Sequence, residues 1–231
     1  LKPKRVGTPR VPHFVGLDIG FKGDGTAIAI SHIEKVKDPD NNQLVEKIEI
    51  DYVESRSAGL PPYENMDILE FEVIAEWIKE VCDKFYVVQV LLDQHNGVLV
   101  QQNLKNKGMS QFEMVYHTRN FNSKIYQNFM MLAIDRKLRL FNEKPDDHTD
   151  SEFIDELLKL QVTQYSKNII SVEAPKLKGH HDDRSDALMR SIWLASEAMR
   201  TGVAGFNNVT GPANRGRPVA SAHQYQARKA R

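Results

Sequence analysis

A chain of 231 residues with 41% hydrophobic residues is long enough to bury the core of one soluble globular domain. No apolar run approaches the roughly 18 residues that a membrane span needs, and the N-terminal residues lack the apolar centre of a signal peptide. The single cysteine, Cys82, excludes an internal disulfide and a zinc site built from cysteines, and it favours a reducing intracellular compartment.

The formal net charge of zero hides an uneven distribution of charge. Residues 1–12 carry four basic residues and residues 200–231 carry six, and neither segment has an acid. Without these 10, the 31 lysines and arginines fall to 21 against 31 acids, so residues 13–199 have a charge of −10. We predict a basic linker over 1–12, a folded domain over 13–199 and a flexible basic tail over 200–231.

The first third of the chain has the alternating pattern of an antiparallel three-stranded meander. Asp18, where the first strand ends, is a candidate site residue, and Asp24, in the glycine-rich turn that follows, is a candidate auxiliary residue. Either aspartate has a structural alternative, because aspartate is a common turn former and Asp-Gly is a common turn pair. The predicted strands cover 14–17, 26–33 and 44–53.

The middle of the chain alternates helices with strands. A helix over 67–85 leads to a continuous apolar run over 86–92, which is typical of a central strand buried on both faces and which ends in Asp93. Because α/β sheets hold ligands at the C-terminal ends of such strands, Asp93 is a second candidate site residue. The next predicted elements are a helix over 97–107, a strand over 112–116 and a helix over 123–137.

Positive charge concentrates on residues 117 to 139. A solvated basic face is the commoner fate of such charges and remains the alternative. In an otherwise acidic body, however, these side chains are the main candidates for contacts with DNA phosphates. The predicted DNA-binding residues are Arg119, Lys124, Arg136, Lys137 and Arg139.

Three carboxylates, Asp182, Asp183 and Asp186, crowd into five positions at the start of the last apolar helix. Like charges this close disfavour ionisation unless a cation holds them, and a divalent metal is the usual cation. The alternative is a solvated helix start in which an aspartate caps the first turn. His180 and His181, just ahead, are candidates for a proton-moving, capping or orienting role. The elements before this helix are a helix over 151–160 and a small β-hairpin with strands over 161–165 and 169–173.

This order of elements predicts an α/β fold whose mixed sheet has three antiparallel strands continued by parallel ones. In that topology the first and fourth strands are neighbours, so Asp18 and Asp93 lie side by side and the last helix can bring Asp183 to them. Oxygen ligands without cysteine favour Mg²⁺ or Mn²⁺. Two such ions about 3.5–4 Å apart can activate water and stabilise the leaving oxygen in phosphodiester cleavage.

Three segments, FVGLDIGFKGDGTAIAI, VVQVLLDQHNG and HHDDRSDALMRSIWLA, resemble the C-terminal nuclease domain of the large terminase subunit of tailed bacteriophages over about residues 13–199. The resemblance implies an RNase H-like (RuvC-like) fold and an endonuclease that cuts concatemeric viral double-stranded DNA during genome packaging in the host cytoplasm. The implied partners are an N-terminal packaging ATPase domain, the small terminase subunit and the portal. The chain has no GxxxxGK[ST] phosphate loop and no initial methionine, as expected of a piece that begins in the interdomain linker.

The same resemblance implies roles for individual residues. Asp18, Asp93 and Asp183 would be the catalytic ligands of two Mg²⁺ or Mn²⁺ ions. Asp182 and Asp186 would be further metal ligands, and the doubled aspartate leaves open which neighbour is the primary one. Apart from the resemblance, we hypothesise that Arg119 or Lys124 steadies charge on the phosphate during cleavage.

Three other functions remain open. A resolvase or a transposase-like nuclease would share the fold and the carboxylates. An actin-like or sugar-kinase-like ATPase lobe is suggested by DIGFKGDGTA, which also resembles the first phosphate loop of that superfamily, although the chain has no second loop of this kind. A catalytically silent DNA-docking module would use the acids as helix caps and the basic tail for binding.

Overall fold

The computed structural model describes residues 2–21, 25–39, 41–115, 118–141, 152–176 and 181–202, without the side chains of 94–96. Its helices are α1 (Phe71–Cys82), α2 (Gln94–Asn106), α3 (Arg119–Ile134), α4 (Glu152–Lys159) and α5 (Asp183–Thr201). Its strands are β1 (His13–Asp18), β2 (Thr26–Lys37), β3 (Leu44–Arg56), β4 (Val87–Asp93), β5 (Phe112–Val115), β6 (Leu138–Arg139), β7 (Gln161–Ser166) and β8 (Ile169–Glu173).

Six of these strands form one mixed sheet in the order β5-β4-β1-β2-β3-β6, and β7 and β8 form a separate hairpin. Strands β1, β2 and β3 are antiparallel, β4 is parallel to β1, and β5 is parallel to β4. The predicted meander, its continuation by parallel strands and the pairing of the first strand with the fourth are confirmed. Strand β6, parallel to β3 at the far edge, was not predicted because two residues are too few to show a period.

Helices cover both faces of the sheet. Leu17 packs with α1 and α2 on one face, whereas Phe14 packs with α3, α4, α5 and the hairpin on the other. Side chains alternate along a strand, so Asp18, four residues after Phe14, points to the α5 face. On β4, Leu91 belongs to the same core as α5, and Asp93, two residues later, therefore points there as well.

Helix α5 lies directly on β1 because Gly16 has no side chain. A Cβ at this position would stand 2.0 Å from the carbonyl oxygen of Ala187 and 2.5 Å from the amide nitrogen of Ser191. The Ser191 hydroxyl donates to the carbonyl of Phe14 at 2.9 Å, and a hydrogen bond of 2.7 Å joins it to the hydroxyl of Ser31. This close approach brings the acidic start of α5 to the C-terminal end of β1.

Helix α3 starts earlier and ends earlier than predicted. It begins at Arg119 because the hydroxyl of Thr118 accepts a hydrogen bond from the amide of Phe121 and so caps the first turn. It ends at Ile134, since Arg136 has a φ of 54°, a left-handed conformation that terminates helices. The shift matters for function because it moves Arg119 from the predicted loop to the first position of the helix.

The segment before β1 runs along the sheet. The amide of Lys4 donates to the carbonyl of Asp51 at 2.7 Å, and the amide of Gly7 donates to the carbonyl of Lys84 at 2.8 Å.

The domain limits at residues 12 and 199 stay predictions. Of the predicted flexible tail, residues 200 and 201 belong to α5, and residues 203–231 lie outside the described residues. Within the described ranges, no helix is long and apolar enough to cross a membrane.

Candidate functional site

Acidic side chains from β1, β4 and α5 meet at the end of the sheet where β1 and β4 have their C-terminal residues, which we call the acidic edge. In the parallel pair of β1 and β4, Leu17 lies opposite Leu92, so Asp18 and Asp93 follow next on neighbouring strands. Asp183 is the first residue of α5, and the negative charge of Asp18 acts on its carboxyl group. The structure thus places the three carboxylates at the same end of the central strands.

The Asp183 carboxyl group is buried and resists ionisation. Its Oδ2 accepts a hydrogen bond of 3.0 Å from the amide of Gly25. Burial and then the charge of Asp18 nevertheless raise the pKa of Asp183 to about 8, and Glu156 and Asp182 add to the effect. A nearby cation would stabilise the ionised form of this carboxyl group. The oxygen-only donor set therefore fits a hard divalent ion such as Mg²⁺ or Mn²⁺.

Arg190 of α5, which was not predicted from the sequence, lies among these acids. Its side chain is 1% exposed, and its Nη1 donates to Asp18 Oδ1 at 2.7 Å and to the carbonyl of Leu17 at 2.9 Å. Burial alone would lower the pKa of Arg190, but the charges of Asp18, Asp186 and Asp93 raise it. The guanidinium thus offsets negative charge at this edge of the sheet. Its sequence signal is an arginine four residues after Asp186, on the apolar side of the helix.

Asp186 and Asp182 are held by donors of the protein. The phenol of Tyr126 donates to Asp186 Oδ1 at 2.7 Å. Burial and then the charge of Asp186 raise the pKa of Tyr126 well above its ordinary value, which keeps the phenol protonated. Asp182 Oδ2 accepts from the amide of Ala174, directly after β8, at 3.0 Å. Asp182 therefore attaches the start of α5 to the hairpin.

The first turn of α5 is capped by a residue of another helix. Asp182 is the N-cap residue but makes no side-chain capping hydrogen bond. Instead, Glu156 of α4 accepts a hydrogen bond from the amide of Ser185 at 2.7 Å. Burial raises the pKa of Glu156, an effect that the bond from Ser185 opposes. The Asp182 side chain therefore does not fill the capping role that was its structural alternative.

A cavity of about 200 Å³ opens next to Asp182 and Asp186, between α3, β8 and α5. Arg119 borders this cavity, and its guanidinium carbon lies 3.9 Å from the centre of the Tyr165 ring of β7. Stacking on the Tyr165 ring therefore holds the positive charge of Arg119 beside the cavity that Asp182 and Asp186 also line. The lining residues are Arg119, Asn122, Ser171, Val172, Glu173, Asp182 and Asp186.

Solved structures of similar fold include the large terminase nuclease from thermophilic phage G20c, at 15% identity and a TM-score of 0.58 over 84% of this chain and 92% of that chain. The same nuclease with bound magnesium is 15% identical, with a TM-score of 0.57 over 83% of this chain and 90% of that chain. The HK97 bacteriophage large terminase is 13% identical, with a TM-score of 0.61 over 84% of this chain and 41% of that chain. No protein-family model and no curated protein matches the chain.

The chain has the fold of the large-terminase nucleases. This finding confirms the predicted RNase H-like α/β class with its mixed sheet and small hairpin. In the terminase-nuclease fold of this chain, the acidic edge is formed by the C-terminal ends of β1 and β4 and the N-terminal end of α5.

The five basic side chains predicted to contact DNA are spread along α3 and on to β6, and their contact with DNA stays a prediction. Arg119 begins α3 beside the acidic edge, and Lys124 is exposed one turn further along. Helix α3 has 16 residues and is about 24 Å long, so Arg136 and Lys137 follow its far end. Arg139 lies on β6 at the edge of the sheet.

Two of the predicted auxiliary residues, Asp24 and His180, lie outside the described residues. His181 is exposed directly before Asp182. Elsewhere in the fold, a second group of potential metal ligands consists of His13, His32 and Asp51, which are all buried. These residues were not predicted from the sequence, because they lie on three different strands.

Proposed function

We propose that this chain is a metal-dependent DNA endonuclease, the nuclease part of a large terminase that cuts concatemeric viral double-stranded DNA during genome packaging. The observation that carries the proposal is the meeting of Asp18, Asp93 and Asp183 at one edge of the sheet, with the pKa of Asp183 raised to about 8. The similarity to the terminase nuclease of phage G20c supports it.

Asp18, Asp93 and Asp183 would hold two Mg²⁺ or Mn²⁺ ions, with Asp182 and Asp186 as further oxygen donors. When bound, such ions supply Lewis-acid stabilisation of the leaving oxygen and an activated water for phosphodiester hydrolysis. The amide of Gly25 orients the Asp183 carboxylate through its hydrogen bond. Arg190 orients Asp18 in the same way and offsets negative charge at the site.

Arg119 would bind the DNA backbone. Its guanidinium borders the cavity next to Asp182 and Asp186, where it can meet a phosphate group of the same strand that is cut. A contact of this kind reads charge and not base edges, so we expect weak sequence preference. In the packaging machine, an N-terminal ATPase domain, the small terminase subunit and the portal would be partners in the host cytoplasm. The chain spans 41% of the HK97 large terminase, which leaves room for such a domain.

The proposal predicts that the 231-residue chain cuts supercoiled plasmid in Mn²⁺ or Mg²⁺ and loses this activity completely in EDTA. Gel electrophoresis of the plasmid measures the outcome. Cleavage that persists in EDTA would contradict a metal-dependent mechanism. No cleavage in either metal, combined with tight ATP binding in calorimetry, would favour the ATPase lobe. Faster cutting of a four-way junction than of the same duplex without a junction would favour a resolvase.

We expect Arg119→Ala to weaken both DNA binding and cleavage roughly tenfold or more, since a hydrogen bond to a charged group contributes about 1.5–3 kcal/mol. Arg136→Ala is the matched control, because Arg136 is exposed and follows the far end of α3. Filter binding in Ca²⁺ and plasmid cleavage in Mn²⁺ measure the two effects. Equal losses in the two variants would remove the special role of the cavity.

A further inference from the structure

The second group of potential metal ligands, His13, His32 and Asp51, lies at the opposite end of β1 from the proposed nuclease site. His13 begins β1 and Asp18 ends it, so about 16 Å of strand separates the two sites. His32 lies directly opposite His13 on β2. One ligand atom from each of the three side chains lies within 4.8 Å of the other two.

Asp51 joins this group because of a β-bulge in β3. Ile30 of β2 pairs with Tyr52, but the next residue, Ser31, pairs with Ile50, which leaves Asp51 as the extra residue. Without the bulge, Asp51 would lie opposite Ser31, whose hydroxyl contacts α5 on the other face of the sheet. The bulge thus turns the Asp51 carboxylate to the face of the sheet that carries His32, where it is 0% exposed. Burial of this kind costs several kcal/mol unless a cation or hydrogen bonds compensate.

The contacts of His32 are those of an oriented metal ligand. Its Nδ1 lies 2.7 Å from Asp51 Oδ2, and its Nε2 lies 3.2 Å from Glu34 Oε2. Without a metal, the contact between Nδ1 and Asp51 Oδ2 is a hydrogen bond. With an ion bound, Nε2 would carry the hydrogen and donate it to Glu34, and the lone pair of Nδ1 would face the ion. A carboxylate behind an imidazole ring is the usual partner that orients a metal-binding histidine.

His13 supplies the second imidazole of this group. Its side chain is about 1% exposed, and neither Nδ1 nor Nε2 makes a well-aligned hydrogen bond, although the backbone of Val11 is close enough to act on the ring. Its Nε2 lies 3.4 Å from the same Oδ2 of Asp51 that faces His32. Buried polar atoms are nearly always satisfied in folded proteins, and an ion is one of the few explanations for an exception.

We propose that His13, His32 and Asp51 form a binding site for a Zn²⁺-like transition-metal ion, separate from the ions of the proposed nuclease site. Two imidazole nitrogens and one carboxylate oxygen suit zinc, whereas the oxygen-only group around Asp18 suits magnesium or manganese. Ligands at about 2.0–2.1 Å from a tetrahedral ion lie roughly 3.4 Å apart. The separations of 2.7 Å and 3.4 Å from Asp51 Oδ2 to the two nitrogens need little adjustment to reach this value.

Lys4 acts as the counter-ion of this site when no metal is bound. Its Nζ lies 2.7 Å from Asp51 Oδ1 and 3.0 Å from Glu49 Oε1, which leaves the other oxygen of Asp51 facing the imidazoles. The Lys4 side chain is 31% exposed, so it can turn towards solvent. A bound ion would connect three neighbouring strands and thereby stabilise this end of the sheet. The proposal does not depend on nuclease activity.

The test is a titration of the full chain with Zn²⁺ against a chromophoric chelator, with Mg²⁺ in excess throughout. We expect His32→Gln to bind one tight Zn²⁺ fewer than the parent chain, and Zn²⁺ to raise the melting temperature of the parent but not of this variant. His223→Gln, which alters a histidine in the tail, should leave both results unchanged. Equal Zn²⁺ stoichiometry in the parent and in folded His32→Gln, checked by circular dichroism, would overturn the proposal.

Lys4→Met keeps all three ligands and tests the same site if His32→Gln fails to fold. We expect it to bind Zn²⁺ about tenfold more tightly, because a positive charge next to Asp51 no longer opposes the ion. Co²⁺ bound at this site should give the visible absorption of a four-coordinate ion, unlike Co²⁺ in an oxygen-only site. Unchanged or weaker Zn²⁺ binding by Lys4→Met would show that Lys4 and a metal ion do not share the site.

Discussion

Asp183→Asn is expected to abolish metal-dependent cleavage while it stabilises the metal-free protein. Removing a residue that hydrogen-bonds to a metal ligand typically lowers activity about 10–100-fold. Removing a ligand itself should therefore lower activity further. The amide oxygen of asparagine can still accept the hydrogen bond of Gly25, which keeps the local structure. Opposite effects on activity and stability are typical of a residue whose buried charge serves a bound ion.

The stability effect depends on pH. The pKa of Asp183 is about 8 in the folded chain and about 3.9 in an unfolded one. Between these values the unfolded state releases the proton more readily, so the free energy of unfolding falls as pH rises from about 4 to about 8. In EDTA, Asp183→Asn should therefore unfold at the same urea concentration as the parent near pH 4 and be more stable near pH 8. The difference should be on the order of a few kcal/mol.

Urea unfolding, monitored by circular dichroism, measures the effect on stability. Plasmid cleavage in Mn²⁺ measures the effect on activity. The control is Asp155→Asn, which alters an exposed aspartate of α4 whose partner Lys159 lies 2.5 Å away on the surface. This variant should cleave normally and show no gain of stability at pH 8. Full cleavage by Asp183→Asn would remove Asp183 from the proposed site. An unchanged pH dependence of unfolding would show that its carboxyl group ionises normally.

Gly16→Ala is expected to separate α5 from β1 and to impair stability and cleavage together. The added methyl group would meet main-chain atoms of Ala187 and Ser191, which cannot rotate away as a side chain can. Overpacking in a core costs about 1–3 kcal/mol, and we expect a loss at or above the upper end of this range. Cleavage should fall about 10²-fold, because a displacement of about 1 Å at a catalytic group has this effect.

Gly97→Ala is the matched control for Gly16→Ala. A Cβ at Gly97 would meet the end of the Leu92 side chain at 2.5 Å, which can move, and alanine favours the helix α2 by about 1 kcal/mol. Urea unfolding should show a much larger loss for Gly16→Ala than for Gly97→Ala. Equal losses would mean that the contact of α5 with β1 tolerates a side chain.

Much of the fold follows from the sequence alone. Alternation marks β2 and β3, and the apolar run before Asp93 marks a central strand. Because strands of known order and direction leave few topologies, the sequence also predicted that the ends of the first and fourth strands lie side by side. Asp18 and Asp93 could be chosen as candidates since each directly follows a strand whose own residues identify it.

Arg190, Glu156 and the site around Asp51 depend on tertiary structure. Asp18 and Arg190 are 172 positions apart, and their ion pair forms only because Gly16 lets α5 contact β1. Asp51 reaches His32 through a bulge that an alternating pattern does not reveal. Periodicity determines which face of an element is apolar, and residue type determines where the element ends. The distance between two elements is set by the side chains that separate them, and these belong to both elements at once.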